Sequence, residues 1–266
     1  SKHIINLENE LGVKLFDRNH SPMTLTPAGE FFVKHAQELL YKEDQLLKSL
    51  EGFQTGENGR LVIGVTPFRS LYLMPQIIKK VKDKFPGVRV TLVEAKSEQL
   101  RKEASEGKYD FAVVNLPVDE TVLDVTSLEP DTLVLAISAD LAEDLPDTSK
   151  DNLTVLDFKK ADDLPFVVLS PGQELRELFD KMCASASIEP NIAAEVVGVT
   201  TAWTMARAGV GAAVLPLQYI ESDFSDDSIR LYKIKSKLYS RQPAIVTRRD
   251  QYISPYTKYA IDLLTE

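Results

Sequence analysis

The chain has 266 residues, 44% hydrophobic and 27% charged, with 31 Lys and Arg against 40 Asp and Glu. This is ordinary globular composition, and at roughly 100 to 200 residues per domain it allows about two compact units that need no staples. A single cysteine, Cys183, excludes an internal disulfide and a multi-cysteine metal site, and it reads as a buried helix residue in a reducing compartment. No apolar run approaches the ~18 to 20 residues of a membrane span. The opening Ser1-Lys2-His3 is unlike a secretion signal, so a cytoplasmic location is expected. A net charge of −9 argues against coating nucleic acid by bulk charge, though not against a small local reader.

The three histidines, His3, His20 and His35, all lie near the start. A Ser-His-Asp or Cys-His hydrolase in the long downstream region would lack its base, and a His-rich zinc site cannot form there. Neither a Gly-x-Gly-x-x-Gly turn between strand and helix nor a Gly-x-x-x-x-Gly-Lys-Ser/Thr loop is present. No cofactor, no metal and no enzymatic activity are therefore expected.

In chain order, Ser1 to Leu11 predicts a short helix striped by Ile4, Ile5, Leu7 and Leu11, with Gly12 as its stop. Two short strands follow around the polar tip Asn19-His20-Ser21-Pro22. Thr26 then caps a long helix from Pro27 to about Phe53, with Glu30 close enough to reinforce the cap. Its residues Phe32, Ala36, Leu39, Leu46, Leu50 and Phe53 recur in steps of four and three once Glu43 is counted, which is a heptad seam. Such a helix either packs on its own domain or pairs with a second copy. The second reading is favoured because a helix of this length is long for a globular core.

A polar linker ends near residue 59, and strands then alternate with helices. Strands are predicted at Leu61–Thr66, Val88–Val93 and Tyr109–Val114, with helices at Ser70–Phe85 and from Ser97 to about Glu106. Later strands are expected at Thr132–Ser138, Phe166–Leu169, Ile192–Val197, Ala212–Leu215, Ile229–Ile234 and Ala244–Thr247. Helices are expected near Glu174–Ala186, Thr200–Ala208 and Pro255–Leu264. The strands are apolar on consecutive positions, as in a parallel sheet covered on both faces. Two such α/β units leave a cleft between them.

The segment Ser1-Lys2-His3-Ile4-Ile5-Asn6-Leu7-Glu8-Asn9-Glu10-Leu11-Gly12-Val13-Lys14-Leu15-Phe16-Asp17-Arg18, followed by Leu25-Thr26-Pro27-Ala28-Gly29, closely resembles the second half of the winged helix-turn-helix domain of LysR-type transcriptional regulators. Gly64, Pro75, Phe85-Pro86, Gly107-x-x-Asp110 and Gly209 to Pro216 are similar to the effector domain of the same family. The resemblance implies an α/β protein with a partial winged helix-turn-helix over 1–26 and a linker and dimerisation helix over 27–59. An effector domain over 60–266 would comprise two Rossmann-like subdomains, about 60–136 with 240–266, and about 137–239. The sequence opens inside the recognition helix, so binding of double-stranded promoter DNA is expected of an intact protein that also carries the two preceding helices. Ser1, Lys2 and His3 then match the groove-contacting stretch, and Arg18, Asn19 and His20 the wing. Residues 1–59 carry six Lys and Arg against nine acids, which alone would not suggest DNA. Arg18 reads equally as a surface ion pair, and Asn19 and His20 as plain turn residues.

The resemblance also implies a small-molecule effector, expected to be anionic, in the inter-subdomain cleft, and a protein that assembles as a dimer or tetramer. Helix starts after strands supply free N–H groups for such a ligand. Thr66, Phe68, Arg69 and Ser70 form one such start, Ser97 a second, and Thr200 with Thr201 a third; Ser170 and Gln173 would line the opposite wall. Ser97 and Thr200 also read as ordinary caps, Arg69 as a solvated side chain, and Ser170 to Gln173 as a surface turn. Trp203 reads as core. The competing assignments are a solute-binding module of the periplasmic-binding-protein type without DNA function, and an α/β enzyme.

Overall fold

The structure is a computed structural model that describes residues 2–18, 22–53, 58–149, 152–220, 228–234 and 241–265. It opens with helix α1 (Lys2–Leu11), which Gly12 ends in the left-handed region at φ +70°, where glycine alone has no steric cost. Strands β1 (Phe16–Asp17) and β2 (Thr24–Leu25) pair antiparallel, as expected, with Phe16 opposite Leu25. The tip residues Asn19, His20 and Ser21 lie outside the described residues.

Helix α2 runs Pro27–Phe53 as the sequence predicts. Thr26 Oγ1 accepts the Gly29 N–H at 3.0 Å and donates to Lys14 O at 2.6 Å. The Thr26 N–H goes to Leu15 O at 3.0 Å. That bond takes the donor a Glu30 side chain would have to accept, so Glu30 favours the helix start by its charge alone. A Cβ on Gly29 would sit 2.0 Å from Leu15 O, which explains why glycine stands where the helix meets the hairpin.

The first α/β unit is a five-stranded sheet in the order β4-β3-β5-β13-β6, built from β3 (Asn58–Val65), β4 (Gly87–Glu94), β5 (Phe111–Asn115), β6 (Leu123–Ser127) and β13 (Pro243–Arg248). Leu61, Ile63 and Val65 face Met74, Ile77 and Val81 of α3 (Pro67–Lys84) and Tyr256 and Ala260 of α8 (Pro255–Thr265). Val62, Ala112 and Val114 face Leu100 and Ala104 of α4 (Ser97–Ser105) on the other side. Both faces are covered, which is why the strands read as continuous apolar runs. The sheet is mixed, however: β3, β4 and β5 are parallel, β13 runs antiparallel to β5, and β6, antiparallel to β13, points the same way as the first three. β13 returns from the second unit without a crossover helix, so nothing forces it into the parallel direction.

The second unit has the order β11-β7-β12-β8, from β7 (Leu133–Ser138), β8 (Val155–Leu156), β11 (Ala213–Pro216) and β12 (Ile229–Ile234). The parallel pair β9 (Pro165–Leu169) and β10 (Asn191–Val196) joins it through Phe166 and Ala212. Here β7 is antiparallel to both neighbours, so this unit does not repeat the first. β7 belongs wholly to the second sheet, which moves the change of unit from about 136 to between Ser127 and Leu133. Helices α5 (Glu174–Ala186) and α6 (Val199–Arg207) cover the sheet, and the short α7 (Leu217–Ile220) follows β11. Trp203 and Cys183 are both core residues. Among the described residues no helix is long and apolar enough to cross a membrane.

Candidate functional site

Two segments cross between the units, and they pair with each other: the Asp131 N–H donates to Arg241 O at 3.0 Å. The strand ends and helix starts of both units meet beside this crossing. From the first unit come Thr66 to Ser70 at the start of α3, Ser97 at the start of α4, and Asn115 at the end of β5. From the second comes the segment 170–174 leading into α5.

A buried charge network occupies the junction. Arg69, fully buried, donates from Nη2 to Asp131 Oδ2 at 2.7 Å. Arg241 Nη1 stands 3.4 Å from the same oxygen, and its Nη2 donates to Glu174 Oε2 at 3.3 Å. Asn115 Nδ2 donates to that same Glu174 oxygen. Arg101 Nη1 donates to Asn115 O at 3.1 Å and to Ser97 Oγ at 3.3 Å, and lies 3.9 Å from Glu174 Oε1. Three guanidinium groups thus face two carboxylates, a surplus of one positive charge. Burial weakens the hold of Arg241 on its proton, as does the neighbouring Arg69 charge, while Asp131 and Glu174 oppose this. Burial also pushes the Tyr72 phenol up to about 12, beside the same arginines and Asp131.

The network leaves donors and acceptors unused. Among the described residues, nine buried side-chain polar atoms lack a hydrogen-bond partner. Six of them belong to this junction: Thr66 Oγ1, Nε and Nη1 of Arg69, Nε and Nη1 of Arg241, and Asn115 Oδ1. Each such atom costs about 1–3 kcal/mol, more when charged, so their concentration in one place demands a reason.

The expected site residues divide. Thr66 is the N-cap of α3, but its hydroxyl makes no cap bond. Arg69 is not solvated. Ser97 is not a cap, since Lys96 holds that position; its Oγ accepts from Asn115 N at 3.1 Å and thereby ties α4 to the end of β5. Thr200 is likewise not the cap of α6, which is Gly198. It accepts from Tyr219 Oη at 3.0 Å, and the Tyr219 ring packs on Phe68 at 5.7 Å. Phe68 therefore seats the first unit in the core of the second. Ser70 is buried one turn from Thr66, and Thr201 is exposed. Ser170 Oγ and Gln173 Nε2 bond to the carbonyls of Val196 and Val197 at 3.3 and 3.1 Å, so both brace the wall they stand on. Asp131, Arg241, Arg101, Asn115 and Glu174 escape sequence reasoning. Asn115 and Glu174 do sit at a strand end and a helix start, the only local signal any of them carries.

In the amino-terminal part Glu8 is the one buried residue of α1. It accepts from Leu15 N at 2.9 Å and Phe16 N at 3.2 Å, and pairs with Lys14 at 3.3 Å and Arg18 at 3.1 Å. Burial pushes its carboxyl up, but the two N–H groups and Lys14 outweigh this and hold it low. Lys2 and His3 are exposed, while Ser1 lies outside the described residues. Along α2, Leu39, Leu46 and Leu50 are 69%, 58% and 53% exposed, with Phe31, Leu40 and Leu47 beside them also open. Phe32 and Ala36 are half-buried, and the Phe53 side chain is outside the described residues. One ring of α2 docks on the first unit: Tyr41 lies where a Cβ on Gly107 would fall 2.3 Å from it, with the Arg248 guanidinium 4.1 Å from its centroid.

Comparison with known proteins decides the family. Residues 54–266 match the LysR substrate binding domain, and residues 1–30 match the bacterial regulatory helix-turn-helix protein of the lysR family. The chain belongs to the LysR family. It is 28% identical over 279 residues to an uncharacterised HTH-type transcriptional regulator, YcgK, of Bacillus subtilis, covering 100% of this chain and 85% of that protein. Its fold is similar to that of full-length OxyR from Pseudomonas aeruginosa, in a substituted form, with a TM-score of 0.73 at 21% identity over 98% of this chain and 86% of that one. It is also similar to the CcmR regulatory domain of Synechocystis in complex with 2-PG, with a TM-score of 0.64 at 19% identity over 78% of this chain and 96% of that one. As a LysR-type chain it joins a DNA-reading helix-turn-helix to an effector-binding domain of two subdomains, which a solute-binding module alone does not do.

Proposed function

We propose that this regulator responds to a small anion seated at the junction of its two α/β units, and that its output is altered contact with promoter DNA. The observation that carries the reading is the cluster of unused polar atoms at Thr66, Arg69, Asn115 and Arg241. Four of the six belong to guanidinium groups, whose fork matches a carboxylate or phosphate. Ser97 and Ser70 supply further hydroxyls nearby, whereas Thr200, Thr201, Ser170 and Gln173 act from the flanking walls. Chemistry on the ligand is not required: among the described residues the junction pairs its carboxylates with guanidinium groups and an amide, and the reading is of a sensor rather than an enzyme.

DNA contact is assigned to Ser1, to Lys2 and His3 on α1, and to Arg18, Asn19 and His20 of the wing sequence, with Glu8 holding Arg18 at the hairpin base. Self-association is assigned to the seam of α2 at Phe32, Ala36, Leu39, Leu46, Leu50 and Phe53, because six large apolar side chains stand open along and beside it. A cytoplasmic location belongs to the same reading, as the compartment where a bacterial regulator of this family would meet its promoter DNA. Effector control requires that the anion bind one arrangement of the units better than another.

Calorimetric titration of the full chain with small acids tests the reading. Arg241→Ala is expected to weaken a bound anion by about 1.5–3 kcal/mol, the range for a hydrogen bond to a charged group. Binding that ignores Arg241 would put the effector elsewhere.

A further inference from the structure

The Glu174 carboxylate reaches from the second unit into the donor set of the first. Its Oε2 accepts from Asn115 Nδ2 and from Arg241 Nη2 at 3.3 Å, and its Oε1 lies 3.9 Å from Arg101 Nη1. This is the set of partners an incoming acid group would want. Arg69 stands behind Arg241, joined to it through Asp131, with two of its N–H-bearing nitrogens unused.

We propose that Glu174 is a tethered stand-in for the acid group of the effector, occupying its seat when no effector is bound and swung out when one arrives. The inference rests on the anion reading above. It accounts for two facts together: the donors that would meet an acid group already hold one, yet the junction is under-bonded. One carboxylate satisfies Asn115 Nδ2 and one arm of Arg241, and leaves Nε of both buried arginines, Nη1 of Arg69 and Asn115 Oδ1 without a hydrogen-bond partner, while Arg241 Nη1 has only its ion pair with Asp131 at 3.4 Å. A ligand with a single carboxylate regains only the bonds Glu174 already makes, and must do so against a group held at high effective concentration. A ligand with a second acid group adds acceptors for the arginines, and a hydroxyl adds a donor for Asn115 Oδ1. The device therefore selects small hydroxy-acids with two acid groups over simple carboxylates. It also ties recognition to movement, because Glu174 belongs to the second unit and the donors it releases belong to the first unit and the crossing.

The test titrates the full chain and its Glu174→Ala, Glu174→Gln and Arg241→Ala variants with acetate, malate and inorganic phosphate. Removing an internal competitor raises apparent affinity by the factor by which it had occupied the seat, here expected to be about tenfold for malate and phosphate in Glu174→Ala. Glu174→Gln, which still fills the space and accepts from Asn115, falls between that variant and the wild type and carries the test if the alanine variant does not fold. In the wild type, malate binds more tightly than acetate, and Arg241→Ala weakens both. Amide exchange at residues 170–176 rises in Glu174→Ala, and in the wild type on adding malate. Unchanged or weaker binding in both Glu174 variants, with the dependence on Arg241 intact, overturns the stand-in and leaves the anion site. Refusal of all three anions by every form overturns both.

Discussion

The carboxylate of Glu8 and the amide of Leu15, seven positions apart, are joined at 2.9 Å, and through this bond α1 holds the hairpin that follows it. A buried carboxylate that receives two backbone N–H groups and two cationic side chains is held below its ordinary range. Its folded value lies under its unfolded one, so the stability it contributes is complete above the unfolded carboxylate range and is lost as pH falls through the depressed folded value. Amide exchange at Leu15 and Phe16 is expected to accelerate on acidification ahead of the α/β core. Glu8→Ala should remove that pH dependence and leave the two amides fast at neutral pH.

Gly29→Ala is expected to break the joint between hairpin and α2. The new methyl would meet the Leu15 carbonyl, a backbone atom that cannot rotate away, so the cost belongs at the upper end of overpacking, about 3 kcal/mol. Denaturant unfolding followed by helix signal would read it. A change within experimental error would mean that α2 does not pack on the hairpin as described.

Removing Arg69 leaves Asp131 buried with Arg241 as its remaining cation. Arg69→Met is expected to destabilise by about 3 kcal/mol, the low end for a broken buried pair, because Arg241 stays within 3.4 Å of the same oxygen. Arg69→Met combined with Asp131→Asn should cost less than the sum of the two single changes. Additive costs would show that the two residues do not interact.

Substitution along α2 separates self-association from folding. Leu46 is more than half exposed, so Leu46→Glu should leave the thermal unfolding of the α/β units unchanged. If it is buried against a second copy, losing that burial is worth about 1.5–3 kcal/mol per side, or at least tenfold in the dimer constant by sedimentation. An unaltered dimer constant would assign assembly to another surface.

Cys183 tests the second core. Burial pushes its thiol up to about 11, so the native chain should react slowly with a thiol reagent at pH 8 and rapidly once unfolded. Fast reaction in the native state would mean that α5 opens readily from its sheet.

The parts legible in the sequence are those whose causes are local. Thr26, Pro27 and the heptad steps specify where α2 begins and how it repeats, and Gly12 marks its turn, whereas the close approach of Gly29 to Leu15 joins distant positions and was not legible. Strand direction was not legible at β13, because a strand covered on both faces shows the same apolar run whichever way it points, and β6 escaped notice because Leu123 is its only buried residue. Arg69 could be placed at a helix start, but its partner Asp131 lies 62 positions on, in a crossing segment with no periodicity. Asn115 and Glu174, 59 positions apart, meet only because two separately folded units abut. Ser97 and Thr200 carry the composition of caps, yet Lys96 and Gly198 take that position and free both hydroxyls for other partners.

The docking of Tyr41 on Gly107 and beneath Arg248 has a consequence for how a signal leaves the molecule. Both partners that Tyr41 meets there, Gly107 and Arg248, belong to the first unit, so α2 is joined to that unit. A ligand that swings the second unit therefore does not pull on its own chain's helix directly. The displaced surface is the outer face of the second unit, and a neighbouring copy resting there would feel the change first. If the anion acts as proposed, response to it would be a property of the assembly, read in the spacing between copies rather than in the shape of any one of them.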